Sequence, residues 1–179
     1  MTCSGVQWER IGPAGPPLPN GLWTAYGSTR FFNLGRRTWL LVEKNKPVTQ
    51  ALWASACPAD TAPGSGSIVL TQEFSVRAKN YYGVPVVAIR YRFGVQSGGE
   101  TGPSDRWIGQ LSVAPDELSV AAGWNVSMTF FAQEPREYPD AGATIAVLPV
   151  KIDLTIETKM KRHDASKMHL VVPTGVFLA

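Results

Sequence analysis

The sequence predicts an all-β domain, an antiparallel two-sheet β-sandwich of jelly-roll or Greek-key type, with a closed β-barrel as the alternative. Three observations carry this expectation. Apolar side chains alternate with polar ones over long stretches: Val150, Ile152, Leu154, Ile156 and Met160 alternate with Lys151, Asp153, Thr155, Glu157 and Lys159. A period of two buries one face of a strand and wets the other. The same pattern recurs at Ile68, Leu70, Phe74, Val76 and Ala78, at Val87, Ile89, Tyr91, Phe93 and Val95, and at Trp124, Val126, Met128, Phe130 and Ala132. Charged residues are only 17% of the chain while Gly, Pro, Ser and Thr abound, as many turns between many strands require. Finally, 179 residues with 44% hydrophobic side chains suit one substantial core rather than two.

Residues 1–30 are expected as a Pro/Gly-rich N-terminal strap and residues 31–179 as a single β-sandwich domain. Residues 12–21 hold four prolines, which cannot donate to a regular ladder and run extended along a surface. Thr38 to Glu43 is a short apolar run ended by the Asn-Lys-Pro turn at 45–47, and it reads as the first core strand. Residues 48–57 carry a local helical preference through Ala51, Leu52, Trp53 and Ala54. A Gly/Pro loop over 58–66 leads into a strand over 67–79. The turn at Asn80 to Pro85 and a strand over 86–97 then complete a long hairpin.

Residues 97–105 form a tip, and Arg106 to Val113 a further strand. Pro115 to Leu118 reads as one turn of helix with Asp116 and Glu117 near its positive end. Gly123 opens a strand running to Gln133, and Pro135 to Gly142 reads as a polar loop. The strand pattern over 144–160 is interrupted by Pro149, which argues for an edge position or a bulge. Lys161 to Lys167 reads as a polar connection before a last broken strand over 168–172 and 176–178.

The formal net charge of +3 comes from 17 basic against 14 acidic residues scattered through strands, too weak a field to argue for nucleic acid. Cys3 and Cys57 exclude a disulfide framework and a four-cysteine zinc site; one bridge between them, or two free thiols, both fit. No segment reads as a secretory signal or a membrane span, so the chain reads as soluble. No cofactor and no metal are expected.

Chemistry-bearing residues are sparse. His163, Asp164 and Ser166 are the one place where the three residue types of a hydrolase meet, but neighbours in one short loop point apart, and a solvated connection explains them more cheaply. His163, His169 and Cys57 match no metal-ligand spacing. Carboxylates pair along the chain at Glu100 and Asp105, at Asp116 and Glu117, and at Glu134, Glu137 and Asp140. Glycoside cleavage needs two acids facing each other across a cleft, which sequence adjacency does not supply. Arg77, Arg90, Arg92, Lys159, Lys161 and Arg162, with Lys79, Lys151 and Lys167, are basic surface candidates, interleaved with Glu73, Asp153 and Glu157 in a way that suits a salt-bridged sheet.

Aromatic residues off the core stripes are the better binding candidates: Trp107, Tyr81, Tyr82, Phe131 and Tyr138, with Trp8, Trp23 and Tyr26. They bury much area at low entropic cost when they meet a partner. Asn125-Val-Ser is a glycosylation sequon inside an expected strand. These features together suggest a non-enzymatic structural or binding module, of the virion coat or surface-protrusion type, acting in assembly or in receptor or surface attachment. Its expected partners are further copies of itself, another protein domain or a glycan receptor. A lectin-like carbohydrate-binding module is the alternative, and a hydrolase using His163, Asp164 and Ser166 the third reading.

Overall fold

The computed structural model describes residues 3–12, 21–48, 53–61, 66, 68–99 and 105–179. Thirteen strands are ordered along it: β1 (Cys3–Ile11), β2 (Tyr26–Gly27), β3 (Thr38–Glu43), β4 (Lys46–Pro47), β5 (Ala54–Ala56), β6 (Ile68–Asn80), β7 (Pro85–Gly98), β8 (Trp107–Val120), β9 (Asn125–Ala132), β10 (Arg136–Asp140), β11 (Ala143–Glu157), β12 (Arg162–Val172) and β13 (Gly175–Leu178). They form two antiparallel sheets, neither closed into a barrel. The first has the order β1-β6-β7-β8-β5. The second has the order β13-β12-β11-β9-β3-β4, with β10 and β2 flanking β11. The fold is therefore a two-sheet β-sandwich. Because β5 lies beside β8 rather than beside β6, which follows it, β5 to β8 have Greek-key order.

The core is the meeting of the alternating apolar faces. Phe74, Val76, Ile89, Tyr91, Phe93 and Val95 of the first sheet face Val126, Met128, Phe130, Val150, Ile152 and Leu154 of the second, all essentially without solvent contact. Trp39 stacks on Phe130 with ring centroids 3.8 Å apart. Such burial, at roughly 25 cal/mol per Å² of apolar surface, is the dominant favourable term in folding. In β3 one residue is inserted opposite β9 between Leu40 and Val42, and this bulge turns both Leu41 and Val42 inward.

A smaller apolar layer covers the outside of the second sheet. Leu22 and Ala25, on and just after a single 3-10 turn at Leu22–Thr24, pack on Ile145, Val147, Leu170 and Val172. The near half of β11 is thus buried on both faces. Residues 13–20 lie outside the described residues, but the flanks of the expected strap are part of the sandwich. Ile11 pairs with Glu73 at the edge of the first sheet, and Gly21 sits near the Tyr138 ring on the second.

Several local expectations are corrected. Within the region expected to be helical, residues 49–52 lie outside the described residues and Ala54–Ala56 is a strand, because Ala54 and Ala56 pair with Leu111 and Ile108. Pro115 to Leu118 is not a helical turn but the continuation of β8. Asp116 is bulged out between the pairs Arg90 with Glu117 and Tyr91 with Pro115. The described residues place no partner strand on the other side of β8 there, which is where proline is tolerated. Residues 136–140, expected as loop, pair with both β11 and β2. Residues 162–167, expected as a polar connection, are the first half of β12, paired along β11. Pro149 stands inside a central strand, where β11 changes partner from β10 to β9. Its missing N–H costs no ladder bond to those strands, and its carbonyl accepts from Gln133 N at 2.8 Å.

Candidate functional site

One end of the sandwich gathers four tight turns. The chain crosses there from β8 to β9 through residues 121–124. The start of β7 pairs with the end of β8, and the start of β9 with the end of β11. The β6–β7 turn, the β11–β12 turn and the β3–β4 turn therefore share this end. Asn45 fastens them: its Oδ1 accepts from Val126 N at 2.6 Å and its Nδ2 donates to the Trp124 carbonyl at 2.9 Å. Lys44 and Asn45 both have positive φ, as a two-residue hairpin turn requires.

Two of these turns thrust apolar side chains into solvent. Asn80 Oδ1 accepts from the backbone N–H groups of Tyr82 and Val84 at 2.9 and 3.0 Å, an arrangement that leaves Tyr81 and Tyr82 outside, 74% and 79% exposed. The two rings meet edge to face at 5.6 Å. In the other turn Thr158 Oγ1 accepts from Lys161 N at 3.1 Å, and Met160 is left 88% exposed. The alternation over 150–160 predicts Met160 on the core stripe, but β11 ends at Glu157 and the alternation does not reach it. The legible signal was Thr158, whose hydroxyl can organise a turn three residues long. Val84 was also missed as an exposed residue, at 53%. Around these tips stand Lys44, Lys46, Lys79, Lys159, Lys161 and Arg162, all exposed, with Glu43, Glu157 and Asp164 as acidic neighbours, the last two in contact with Arg162 at 3.7 and 3.0 Å. The formal net charge of the whole chain is +3, so its positive excess resides at this end.

The sheet faces are different. On the outside of the first sheet Arg90 lies between Glu73 at 3.2 Å and Glu117 at 3.4 Å, and Arg92 contacts Asp116 at 3.4 Å. On the second, Lys151 contacts Asp153 at 3.4 Å. The basic candidates Arg90 and Arg92 thus belong to a charge ladder; Arg77 is exposed beside them, while Lys159, Lys161 and Arg162 belong to the end just described. The candidate carboxylates are likewise engaged: Asp105 with Arg30, Glu134 with Arg37, Asp140 with Arg106, and Glu137 with the Ser28 hydroxyl. Glu100 lies outside the described residues.

The remaining aromatic candidates divide. Trp107 opens β8 and packs on the core, its ring lying where a Cβ on Gly98 would be. Tyr138 packs on the outer apolar layer, and Trp8 on the core near Tyr91 and His169. Phe131 stands 37% exposed on the outer face of the second sheet, between Thr38 and Lys151. Elsewhere on this outer face, along β11 and β12, a groove of about 300 Å³ is lined by Asp153, Thr155, Arg162, Asp164 and Ser166.

Asp164 accepts from Thr155 Oγ1 at 2.7 Å and from Arg162 Nε at 3.0 Å, and these two bonds, the Thr155 one foremost, lower its pKa. Asp164 and Ser166 share this outer face. His163 is opposite Ile156, a core residue, and so belongs to the other face; β12 does not bring the three together. His169 is deeper still, with no solvent contact. The Tyr91 hydroxyl lies 2.8 Å from its Nε2, and its Nδ1 lies 3.3 Å from the Lys167 carbonyl, which can only accept and so places a proton on Nδ1. Burial lowers the pKa of His169 to about 3 and raises that of Tyr91. Cys57 is a free, buried thiol whose pKa burial raises, against a smaller lowering by Ser55.

Among the described residues no group of three or more His, Cys, Asp and Glu is arranged to hold a metal ion, and no helix is long and apolar enough to cross a membrane. No protein family matches this chain, and neither does any curated protein or solved structure.

Proposed function

We propose that this chain is a non-enzymatic β-sandwich module for assembly or surface attachment, of the kind that coats a virion or protrudes from it, and that it works through the turn-bearing end. The observation that carries this reading is the contrast between end and faces. The face of the first sheet pairs Arg90 and Arg92 with carboxylates of neighbouring strands, whereas Tyr81, Tyr82, Val84 and Met160 are held out in hydrogen-bonded turns and left exposed by the described residues. Exposed aromatic residues on a rigid support lose little entropy on binding, so they suit contact with another surface.

Size-exclusion chromatography with light scattering tests the reading, run alongside retention on glycan and vesicle surfaces. A defined oligomer or particle, or a monomer retained on one of those surfaces, with either property lost in Tyr81→Ser/Tyr82→Ser, is the expected result. A monomer at every concentration that no surface retains overturns it.

A second reading, a carbohydrate-binding module, draws support from Phe131. This ring lies on the same outer sheet face as a groove that offers the hydroxyls of Thr155 and Ser166 and the carboxylates of Asp153 and Asp164, so the face carries both aromatic and polar groups of the kind that sugars require. A glycan array that retains the protein and loses it on Phe131→Ala favours this reading; no binder on the array removes it.

A further inference from the structure

We infer that the turn-bearing end docks on an anionic lipid bilayer, with Tyr81, Tyr82, Val84 and Met160 entering the headgroup region and the surrounding lysines holding lipid phosphates and carboxylates. The inference rests on the attachment reading above and names its partner.

Shape, chemistry and charge each point to this occupant. The apolar side chains sit on convex turns: Tyr81 and Tyr82 project from one hairpin and Met160 from another, and a convex tip needs a surface that yields around it. A sugar site is concave, and a protein hot spot needs a matching pocket, whereas lipid headgroups part to admit a side chain. Tyrosine, with an apolar ring and a polar hydroxyl, is enriched at that boundary in membrane proteins. Both turns are fixed by side-chain hydrogen bonds, from Asn80 and from Thr158, so ordering them on a membrane has little entropic cost.

Charge agrees with this. Lys44, Lys46, Lys159 and Lys161 are exposed at the same end, and their long stems let the ammonium groups reach phosphate while the turns enter deeper. On the outer sheet faces, by contrast, Arg90, Arg92 and Lys151 each contact a carboxylate.

The test is sedimentation with vesicles of equimolar phosphatidylcholine and phosphatidylserine, and with vesicles of phosphatidylcholine alone. Wild-type protein is expected to sediment with the mixed vesicles and to be released at high salt, where screening shortens to about 3 Å at 1 M. Tyr81→Ser/Tyr82→Ser and Met160→Ser each lower the partition coefficient roughly tenfold or more, from lost apolar burial. Lys159→Gln/Lys161→Gln lowers it by a similar factor and removes the dependence on phosphatidylserine. Arg90→Gln, on a sheet face, binds as wild type. All these positions are on the surface, so an unchanged thermal midpoint shows that each variant is folded.

No sedimentation with either vesicle, or equal binding by the tip variants, overturns the lipid inference. If vesicles fail but polyglutamate retains the wild type and not the lysine variant, the end meets an acidic protein surface; the lipid inference is then overturned while attachment through this end stands. Failure of both, together with monomeric behaviour in light scattering, removes the attachment reading as well.

Discussion

The Tyr91 hydroxyl and His169 Nε2 form a 2.8 Å hydrogen bond inside the core, joining β7 of one sheet to β12 of the other. Phe74 and Phe93 flank the imidazole with ring centroids 5.2 Å away in each case, and Trp8 closes the edge. A histidine so enclosed stays neutral. Its folded-state pKa of about 3 lies below the ordinary value, so between roughly pH 6.5 and 3 the unfolded chain takes up a proton that the folded one refuses.

Stability is therefore expected to be insensitive to this group above pH 6.5 and to fall as the pH drops below it, by up to about 1.4 kcal/mol per pH unit. Urea unfolding at a series of pH values checks this against Tyr91→Phe/His169→Leu, in which both members of the side-chain bond are removed together. The wild type should lose stability more steeply below pH 6.5 than the double variant. Parallel slopes would show that His169 is charged or accessible in the folded state.

The stack of Trp39 on Phe130 lies where β3 meets β9, and across β11 Phe130 is opposite Ile152. Phe130→Ala opens a cavity that neither neighbouring strand can close, and a loss of about 3–5 kcal/mol in unfolding free energy is expected. Ile152→Asp places a carboxylate in the same dry layer and should leave no cooperative unfolding transition. A loss under 1 kcal/mol for Phe130→Ala would mean that this layer is not packed as described.

Ala141 turns β10 into β11 with φ of +49°, beside Gly142 at +84°. A side chain in this left-handed region costs about 1 kcal/mol, so Ala141→Gly should raise stability by up to roughly that amount, less the added freedom of the unfolded glycine. Differential scanning calorimetry reads it as a higher midpoint. A lowered midpoint would place Ala141 in another conformation.

Arg90 contacts two carboxylates and still should matter little to folding, because all three side chains are more than a third exposed. Arg90→Ala is expected to cost less than about 1 kcal/mol, and less again at high salt. A larger cost would mean that the charge ladder is a structural brace rather than a satisfied surface.

The long strands were legible because each buries one face against the other sheet, which imprints a period of two on residues 68–80, 85–98, 125–132 and 143–157. The strands without such an imprint are held by partners rather than by their own pattern. Arg136 to Asp140 contains a proline and three charges, and it is a strand because β11 offers a ladder on one side and β2 on the other. The first half of β12 lies at the polar end of the sheet, so Ala165 and Lys167 on its inner face carry no apolar rhythm. Pro115 suggested a helix start from local sequence alone, whereas its place on an open strand flank, beside a bulge, is a tertiary fact. At the candidate site Tyr81 and Tyr82 were legible as turn aromatics. Their company was not, since Met160 and Lys44 reach the same end only through the strand pairing.

The account stands or falls on contact through the end and not through the faces. The most direct measurement places an environment-sensitive fluorophore on Tyr82→Cys, Met160→Cys, Arg90→Cys and Thr129→Cys in a Cys3→Ser background, where the buried Cys57 thiol does not compete. Emission is followed as the protein is concentrated and as phosphatidylserine vesicles are added. A blue shift at positions 82 and 160 with none at 90 and 129 is the predicted result. A shift at 90 or 129 with the end positions unchanged, or no shift at any of the four, would contradict it.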